Sequence, residues 1–410
     1  MTEETSAAEQ RANITEIYGH LPDIPVLEAA EGIRFDFNYG LRVRFPKEGG
    51  PWRVIFYDLD TANLLYNQVI QPDMQVVSLK KFFVRFGLRI FHEGELDKPI
   101  FEHDFDLTGK TVMVQMPVPT VGDTFGWFPY VEKFRLQNKC HVVAVLEPQF
   151  IELFKDTYPE IEFTTRDKVC DYQPYACYYV GLFFEGDTDH QPYDFRMVGN
   201  HRTAGYILGV DPTEERPRLD LSAPRQIQEP YVCIAAQAST HAKYWNNPDG
   251  WYQVVKFLKE SGYRVICVDK ERVHGTGVVF NHIPYGCEDM TGPFPLQERI
   301  NIIKDADFFV GLSSGLSWVA WACGTPVVMI SGFSNAMNEF QTPYRVINFH
   351  GCHGCWNDMR ENFDHFDFLW CPRKKEFECS KMITGEQVIR TIRSIPEFQK
   401  RMAGHDDSNA

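Results

Sequence analysis

From residue 112 onward the chain alternates short apolar runs with longer amphipathic stretches, and that alternation restricts the fold more than anything else in the sequence. The runs at 112–116, 141–146, 179–184, 231–235, 264–268, 308–311 and 326–330 read as strands, while 150–155, 252–261, 295–304 and 316–323 read as helices. Strands that take turns with helices are joined by crossovers, so they pair in parallel and are covered on both faces. A proline-rich stretch at 216–230 falls midway and reads as a linker between two Rossmann-like halves. No repeat of 20 to 50 residues interrupts this pattern.

Upstream, the period changes to two. Ile33, Phe35, Phe37 and Tyr39 alternate with polar partners, Leu41, Val43 and Phe45 continue after Gly40, and Val84, Phe86, Leu88 and Ile90 repeat the pattern. Pro46, Gly49, Gly50, Pro51, Gly94 and Gly109 punctuate these runs at hairpin spacing, so residues 31–116 are expected to form a small antiparallel sandwich or barrel. Residues 1–30 are polar with several acidic side chains and are expected to be a mobile arm.

A chain of 410 residues exceeds what one hydrophobic core organises, which implies two or three domains. Its 41 Lys and Arg against 56 Asp and Glu leave a formal charge of −15, and no basic run is long enough to track a phosphate backbone. Nucleic acid and anionic membranes are thereby disfavoured as partners. The first residues carry Glu3, Glu4 and Glu9 and no apolar core, so no secretory signal is read, and no run approaches the roughly 18 apolar residues of a membrane span. Both observations point to the cytoplasm.

Three loops carry candidate chemistry. The first, Pro119-Thr-Val-Gly-Asp-Thr-Phe-Gly126, follows the strand at 112–116, and ligands of open α/β sheets lie at the carboxyl ends of strands. Asp123 there could take a proton from an attacking hydroxyl, or simply cap the following helix, and Thr124 beside it is a candidate donor contact. The second, Gln237 to Trp245, offers Ser239, Thr240 and Lys243 to a diphosphate, although a solvated loop lysine would look the same. The third joins Gln297-Glu298-Arg299 with the turn Ser313-Ser314-Gly315-Leu316-Ser317, where a strand ends in a Ser/Gly turn that opens a helix. Amides and helix dipole would converge there on a phosphate through Ser314, Gly315 and Ser317, though such a turn can also be no more than a good cap.

Eleven cysteines are present, and Cys140, Cys170, Cys177, Cys233, Cys267, Cys287 and Cys323 are scattered singly as buried or free thiols. The remaining four form Cys352-x2-Cys355-x15-Cys371-x7-Cys379, a spacing that suits one tetrahedral metal, zinc or iron, in a closed structural site. His350, His353 and His365 lie nearby and could replace a ligand. Asp-x-Asp pairs at Asp58/Asp60, Asp104/Asp106 and Asp187/Asp189 fit chance in an acidic protein, and His274-Gly-Thr-Gly277 lacks the third glycine of a dinucleotide fingerprint.

Over roughly residues 33 to 390 the chain resembles the bacterial autotransporter heptosyltransferases, themselves related to lipopolysaccharide heptosyltransferases. The segments that carry the resemblance are Phe35-Asp-Phe-Asn38, Val121-Gly-Asp123, Gly126-Trp-Phe-Pro129, Gly205-Tyr-Ile-Leu-Gly-Val-Asp211, Leu219-Asp-Leu-Ser-Ala-Pro-Arg225, Lys243-Tyr-Trp-Asn-Asn247 and the cysteine cluster. The resemblance implies a GT-B fold of two Rossmann-like domains with the donor in the cleft. It also implies an acceptor-capturing N-terminal β-barrel, one cysteine-bound iron per chain, and a large homo-oligomeric ring, a dodecamer. The domains would then be 31–116 (barrel), 117–228 and 229–345 (the two Rossmann-like halves), 346–382 (iron finger) and 383–410 (C-terminal helix and tail).

By the same resemblance the protein transfers heptose from ADP-heptose to serine hydroxyls of an autotransporter adhesin, with inversion and without a catalytic cation. Asp123 would be the general base, Lys243 and Arg299 would hold the donor, and Cys352, Cys355, Cys371 and Cys379 would ligate the metal. In the lipopolysaccharide branch the phosphate turn begins with Asp, whereas Ser313 stands here, which favours the protein-modifying branch. The rival expectations are a lipopolysaccharide core heptosyltransferase and a non-catalytic scaffold or redox sensor built around the cysteines.

Overall fold

The computed structural model describes residues 17–406 apart from Glu185, Val278 and His365. The first sixteen residues of the expected arm, the tail at 407–410 and the candidate ligand His365 therefore lie outside the described residues. The chain gathers into two compact units. One comprises the described residues up to Pro119, with Trp127–Phe195 and Arg202–Thr213; the other comprises Thr120–Gly126, Arg196–His201 and the described residues from Glu214 on.

In the first unit Thr111–Gln115 is a central strand, with Val112, Met113 and Val114 fully buried. It pairs in parallel with His141–Val145 on one side and Ala176–Tyr179 on the other, and His141–Val145 pairs in turn with Glu162–Thr164. The N-terminal strands do not stand apart. Arg34–Asn38 pairs in parallel with Ala176–Tyr179, then Arg42–Arg44 and Gln75–Val77 follow antiparallel, so one sheet runs from Glu162–Thr164 to Gln75–Val77. A second, four-stranded antiparallel sheet is ordered Leu64–Ile70, Trp52–Asp58, Phe86–His92, Phe101–Asp104. Trp52, Val54 and Phe56 are buried while Arg53, Ile55 and Tyr57 are partly open, the alternation of a sheet covered on one face.

The expected self-contained barrel at 31–116 is thus corrected. Among the described residues no pairing closes the four-stranded sheet, and Arg34–Asn38 extends the parallel sheet because its Phe35, Asp36, Phe37 and Asn38 are buried on both faces. Residues 17–30, expected to be mobile, are also packed. Tyr18 stacks on Tyr179 with ring centroids 4.1 Å apart and donates to the Val180 carbonyl at 3.2 Å, and Leu27–Glu28 pairs with Arg34–Asn38.

The second unit holds an all-parallel sheet ordered Glu288–Asp289, Arg264–Cys267, Tyr231–Ile234, Phe309–Leu312, Val327–Ile330, Arg345–Val346. Chain order grows outward in both directions from the central pair, so the topological switch point lies between Tyr231–Ile234 and Phe309–Leu312. Crevices at the carboxyl ends of strands at such a point are where doubly wound sheets bind ligands. Helices Gly250–Glu260, Leu296–Ile303, Gly315–Ala322 and Gly385–Ile392 belong to this unit, the last opened by a Thr384/Gln387 capping box.

The longest helix, Val121–Asn138, escapes the sequence reading. Gly122, Gly126 and Pro129 look like breakers, and Phe125, Trp127, Phe128, Tyr130, Val131 and Phe134 are buried around the helix, so no one-sided apolar stripe marks it. Among the described residues no helix is long and apolar enough to cross a membrane.

Candidate functional site

Asp123 stands in the first turn of Val121–Asn138 and is gripped by two side chains. Thr120 Oγ1 donates to its Oδ2 at 2.5 Å, and Asn200 Nδ2 donates to its Oδ1 at 2.6 Å. Both partners donate to the carboxylate and so orient it. By its position in sequence Asp123 belongs to the first Rossmann-like half, yet its turn clusters with the second unit. Glycine explains how. A Cβ on Gly122 would stand 2.9 Å from Trp318 Cδ1, and one on Gly315 would stand 2.9 Å from Val121 Cβ. The start of Gly315–Ala322 therefore lies directly against the start of Val121–Asn138, an approach that side chains at those positions would prevent.

Lys243 ends the short helix His241–Lys243, which follows the switch-point strand Tyr231–Ile234. Its ammonium faces the rings of Phe333 and Trp356 at 5.7 and 6.0 Å from their centroids. Burial pulls the lysine pKa below its ordinary value, and the charges of Asp123 and Glu339 work in the opposite direction. The expected base and the expected diphosphate ligand thus feel one another across 120 positions of sequence, counted as 243 minus 123.

The turn after Phe309–Leu312 is built from inside. Ser314 is the N-cap of Gly315–Ala322 in extended conformation, and its side chain caps nothing, which leaves the hydroxyl at the helix start. Ser317 is fully buried and donates to the Leu312 carbonyl at 2.6 Å. Ser313 donates to Glu339, whose carboxylate is 2% exposed and also accepts from Ser334 at 2.5 Å, Asn338 at 3.1 Å and Arg345 at 2.9 Å. Sequence reasoning missed Glu339, Asn338 and Asn200. None lies in a recognisable motif, and only the fold shows what they hold.

The other expected donor residues divide in the same way. Ser239 is exposed on the loop after Tyr231–Ile234, free to meet a ligand, while the Thr240 hydroxyl donates to the Phe368 carbonyl at 3.0 Å and that of Thr124 to the Thr120 carbonyl at 3.0 Å. Arg299 is buried with its guanidinium turned onto the carbonyls of Val268 and Gly292, the latter at 2.5 Å. It pins the loop after Arg264–Cys267. Asp269 on that loop accepts from the Ala236 and Gln237 amides at 2.7 and 3.3 Å; burial raises its pKa, and the charge of Arg299 lowers it.

The four C-terminal cysteines share one neighbourhood. Cys355 and Cys379 are buried, Cys352 and Cys371 are half-buried, and Cys355 packs with Ala242, Phe333 and Trp370 in a small core beside Lys243. Burial pushes the Cys355 and Cys379 thiols up to about 12, with neighbouring thiols adding to it, while Arg373 works against it at Cys355. Arg373 Nη1 also donates to Cys352 Sγ at 3.6 Å. Four soft donors with a guanidinium beside them suit a thiolate-bound ion in chemistry. Among the described residues no group of three or more His, Cys, Asp or Glu stands in ready-made coordination geometry.

Two family models match the chain: glycosyltransferase TibC, N-terminal domain, over residues 29–94, and glycosyltransferase family 9 (heptosyltransferase) over residues 203–349. The autotransporter heptosyltransferase Aah of Escherichia coli is 50% identical over 389 residues, spanning 94% of this chain and 98% of the relative. Among solved structures, the iron-containing dodecameric heptosyltransferase TibC in complex with ADP-D-beta-D-heptose matches with a TM-score of 0.89 at 50% identity, covering 93% of this chain and 99% of that one. A relative from Burkholderia thailandensis described as an inactive autotransporter heptosyltransferase, BimC, is 40% identical over 396 residues, spanning 94% of this chain and 91% of its own. With identity of this extent along nearly the whole chain, and with a switch-point site flanked by a carboxylate and a lysine, the protein belongs to the autotransporter heptosyltransferase family of GT-B-like glycosyltransferases.

Proposed function

We propose that this chain is a protein O-heptosyltransferase of the cytoplasm, moving heptose from ADP-heptose to serine hydroxyls of an autotransporter adhesin with inversion at the anomeric carbon. The serine oxygen attacks that carbon from the face opposite the diphosphate, the new C–O bond forms as the bond to ADP breaks, and the serine proton passes to Asp123. General-base help of this kind contributes about 10²–10⁴-fold. Lys243 meets the departing diphosphate with its ammonium in a half-buried setting, where a charge counts for more than in water. The main-chain amide of Gly315 adds a donor at a helix start, Ser239 offers an exposed hydroxyl, and the lysine and amide together stand in for a divalent cation.

Thr124, Thr240 and Ser317 serve the donor site indirectly in this reading, since their hydroxyls lock the loops that carry the contacts. Arg299 does the same for the loop at 268–292 and adds positive charge. Its solved relative is iron-containing and dodecameric; in this reading the chain likewise holds iron, with Cys352, Cys355, Cys371 and Cys379 as the ligands in a structural role, and assembles into a homo-oligomeric ring. The domain limits proposed from residue 229 onward are those given by the resemblance, and the N-terminal strands serve acceptor capture.

The reading rests above all on the Asp123 carboxylate, aimed by Thr120 and Asn200, on a turn packed against the Ser314–Gly315 helix start. Purified protein incubated with ADP-heptose and an adhesin fragment should add heptose masses to the fragment by intact mass spectrometry. Because the family includes a member described as inactive, this transfer is the deciding measurement. Labelling of lipopolysaccharide core and not of the fragment would favour the rival enzyme, and labelling of neither would favour the scaffold.

A further inference from the structure

Trp356 and Asn357 directly follow Cys355, and both reach one buried side chain on another loop. Trp356 Nε1 donates to Asn338 Oδ1 at 2.9 Å, and Asn357 Nδ2 donates to the same oxygen at 3.3 Å. The Asn338 amide nitrogen in turn donates to Glu339 at 3.1 Å, the carboxylate that holds Ser313. Its main-chain N–H donates to the Asn335 carbonyl at 3.0 Å, and its carbonyl accepts the Asn200 N–H at 2.9 Å. Asn338 is 7% exposed, and both heads of its side chain and both main-chain groups are engaged.

Asn200 is the residue that grips Asp123 Oδ1. Its loop can lie against Asn338 because Gly199, at φ 94°, has no side chain; a Cβ there would come within 2.3 Å of the Met337 carbonyl oxygen. One line of contacts therefore runs from Cys355 through Trp356, Asn338 and Asn200 to Asp123. A branch runs from Asn338 through Glu339 to the Ser313 turn, and the Trp356 ring itself faces Lys243. A buried polar network centred on a fully engaged Asn338 favours one arrangement, and a shift of about 1 Å at a reacting group can cost about 10²-fold in rate.

We propose that Asn338 is a positioning residue for heptosyl transfer, tying the segment after Cys355 to the loop that aims the Asp123 carboxylate. The proposal rests on the reading of Asp123 as base. The cysteine-rich segment then does more than stiffen the C-terminal end of the chain, since its Trp356 and Asn357 are the footing on which Asn338 sits.

The test compares Asn338→Ala, Asn200→Ala, their double variant and Asp123→Ala in the iron-loaded protein, with transfer kinetics, calorimetric ADP-heptose affinity and melting temperature. Asn338→Ala is expected to lower kcat about 10- to 100-fold while donor affinity stays within about twofold. The same loss should nearly vanish in the Asn200→Ala background, because both changes release one carboxylate. A protein that merely loosened would instead lose affinity and kcat together, and its losses would multiply in the double variant. Should Asn338→Ala fail to fold, Trp356→Phe keeps the ring facing Lys243 and removes only the N–H, and it should lower kcat with donor affinity kept. Wild-type kcat in Asn338→Ala, or in Trp356→Phe where only that variant folds, overturns the proposal, as do multiplying losses. Normal turnover in Asp123→Ala would sink the base assignment itself, whereas an inactive Asp123→Ala beside a fully active Asn338→Ala removes only the present inference.

Discussion

Two strand-to-helix turns meet in the second unit and use their polar side chains in opposite ways. At Thr120–Asp123 the carboxylate is held by side chains, Thr120 from next door and Asn200 from far along the chain, while the helix behind it is packed by glycines against Trp318. At Ser313–Ser317 two of the three hydroxyls face inward, to Glu339 and to the Leu312 carbonyl, which leaves the helix start and Ser314 to face outward. The first turn presents a side chain and the second presents main chain. A base needs one aimed atom pair, and a phosphate needs several donors at fixed angles, which a locked backbone supplies better than rotatable hydroxyls.

The largest effect of that contrast falls on the side chain of the first turn. Asp123→Ala should reduce transfer by about 10²–10⁴-fold while calorimetry still finds ADP-heptose bound. Next comes the lysine that follows the switch-point strand. Lys243→Met should cost about 10²-fold in kcat/KM, with a weaker hold on ADP.

The pH dependence gives this prediction a sign. Burial lowers the Lys243 pKa, so the charged form that the diphosphate needs is lost as pH rises through a value below the ordinary lysine range. The alkaline limb of the kcat/KM profile should fall there. Glu339→Gln, which removes a charge that raises that pKa, should move the limb to still lower pH. For stability the sign is reversed: the unfolded chain holds this proton more tightly, so the penalty of burying Lys243 relaxes as pH rises. An alkaline limb that Glu339→Gln leaves in place would separate the two groups.

Smaller effects test the second turn. Gly315→Ala forces a methyl against Val121, and overpacking of this kind costs about 1–3 kcal/mol, read as a lower melting temperature together with weakened donor binding. Ser317→Ala removes one buried hydrogen bond, worth about 1 kcal/mol, and should lower the melting temperature slightly while donor affinity is kept. A Ser317→Ala protein of normal stability that binds ADP-heptose poorly would reverse the comparison, making that hydroxyl a ligand.

Much of the second unit could be read directly from the chain. The strands Tyr231–Ile234, Arg264–Cys267, Phe309–Leu312 and Val327–Ile330 lie at or within one residue of the expected apolar runs, since a buried parallel strand writes itself as a continuous apolar segment. Helix Val121–Asn138 was hidden because burial around its circumference erases the period that marks a helix. The N-terminal strands showed their alternation plainly, yet a period of two says which face is buried and nothing about which strand lies alongside. Arg34–Asn38 could have closed a barrel; its pairing with Ala176–Tyr179 made it part of the parallel sheet instead.

From its residues alone the chain determined its class, its parallel strands, and the residue types of a nucleotide-sugar site, because apolar period and turn chemistry are local properties. Tertiary structure alone decided that Asp123 would join the second unit, that Asn200, Asn338 and Glu339 would hold the site, and that Thr124, Thr240, Ser317 and Arg299 would face backbone carbonyls. Those outcomes depend on which distant loops touch. A hydroxyl or a guanidinium carries the same donors whether it meets a ligand or a carbonyl, so only the packing around it settles which one it finds.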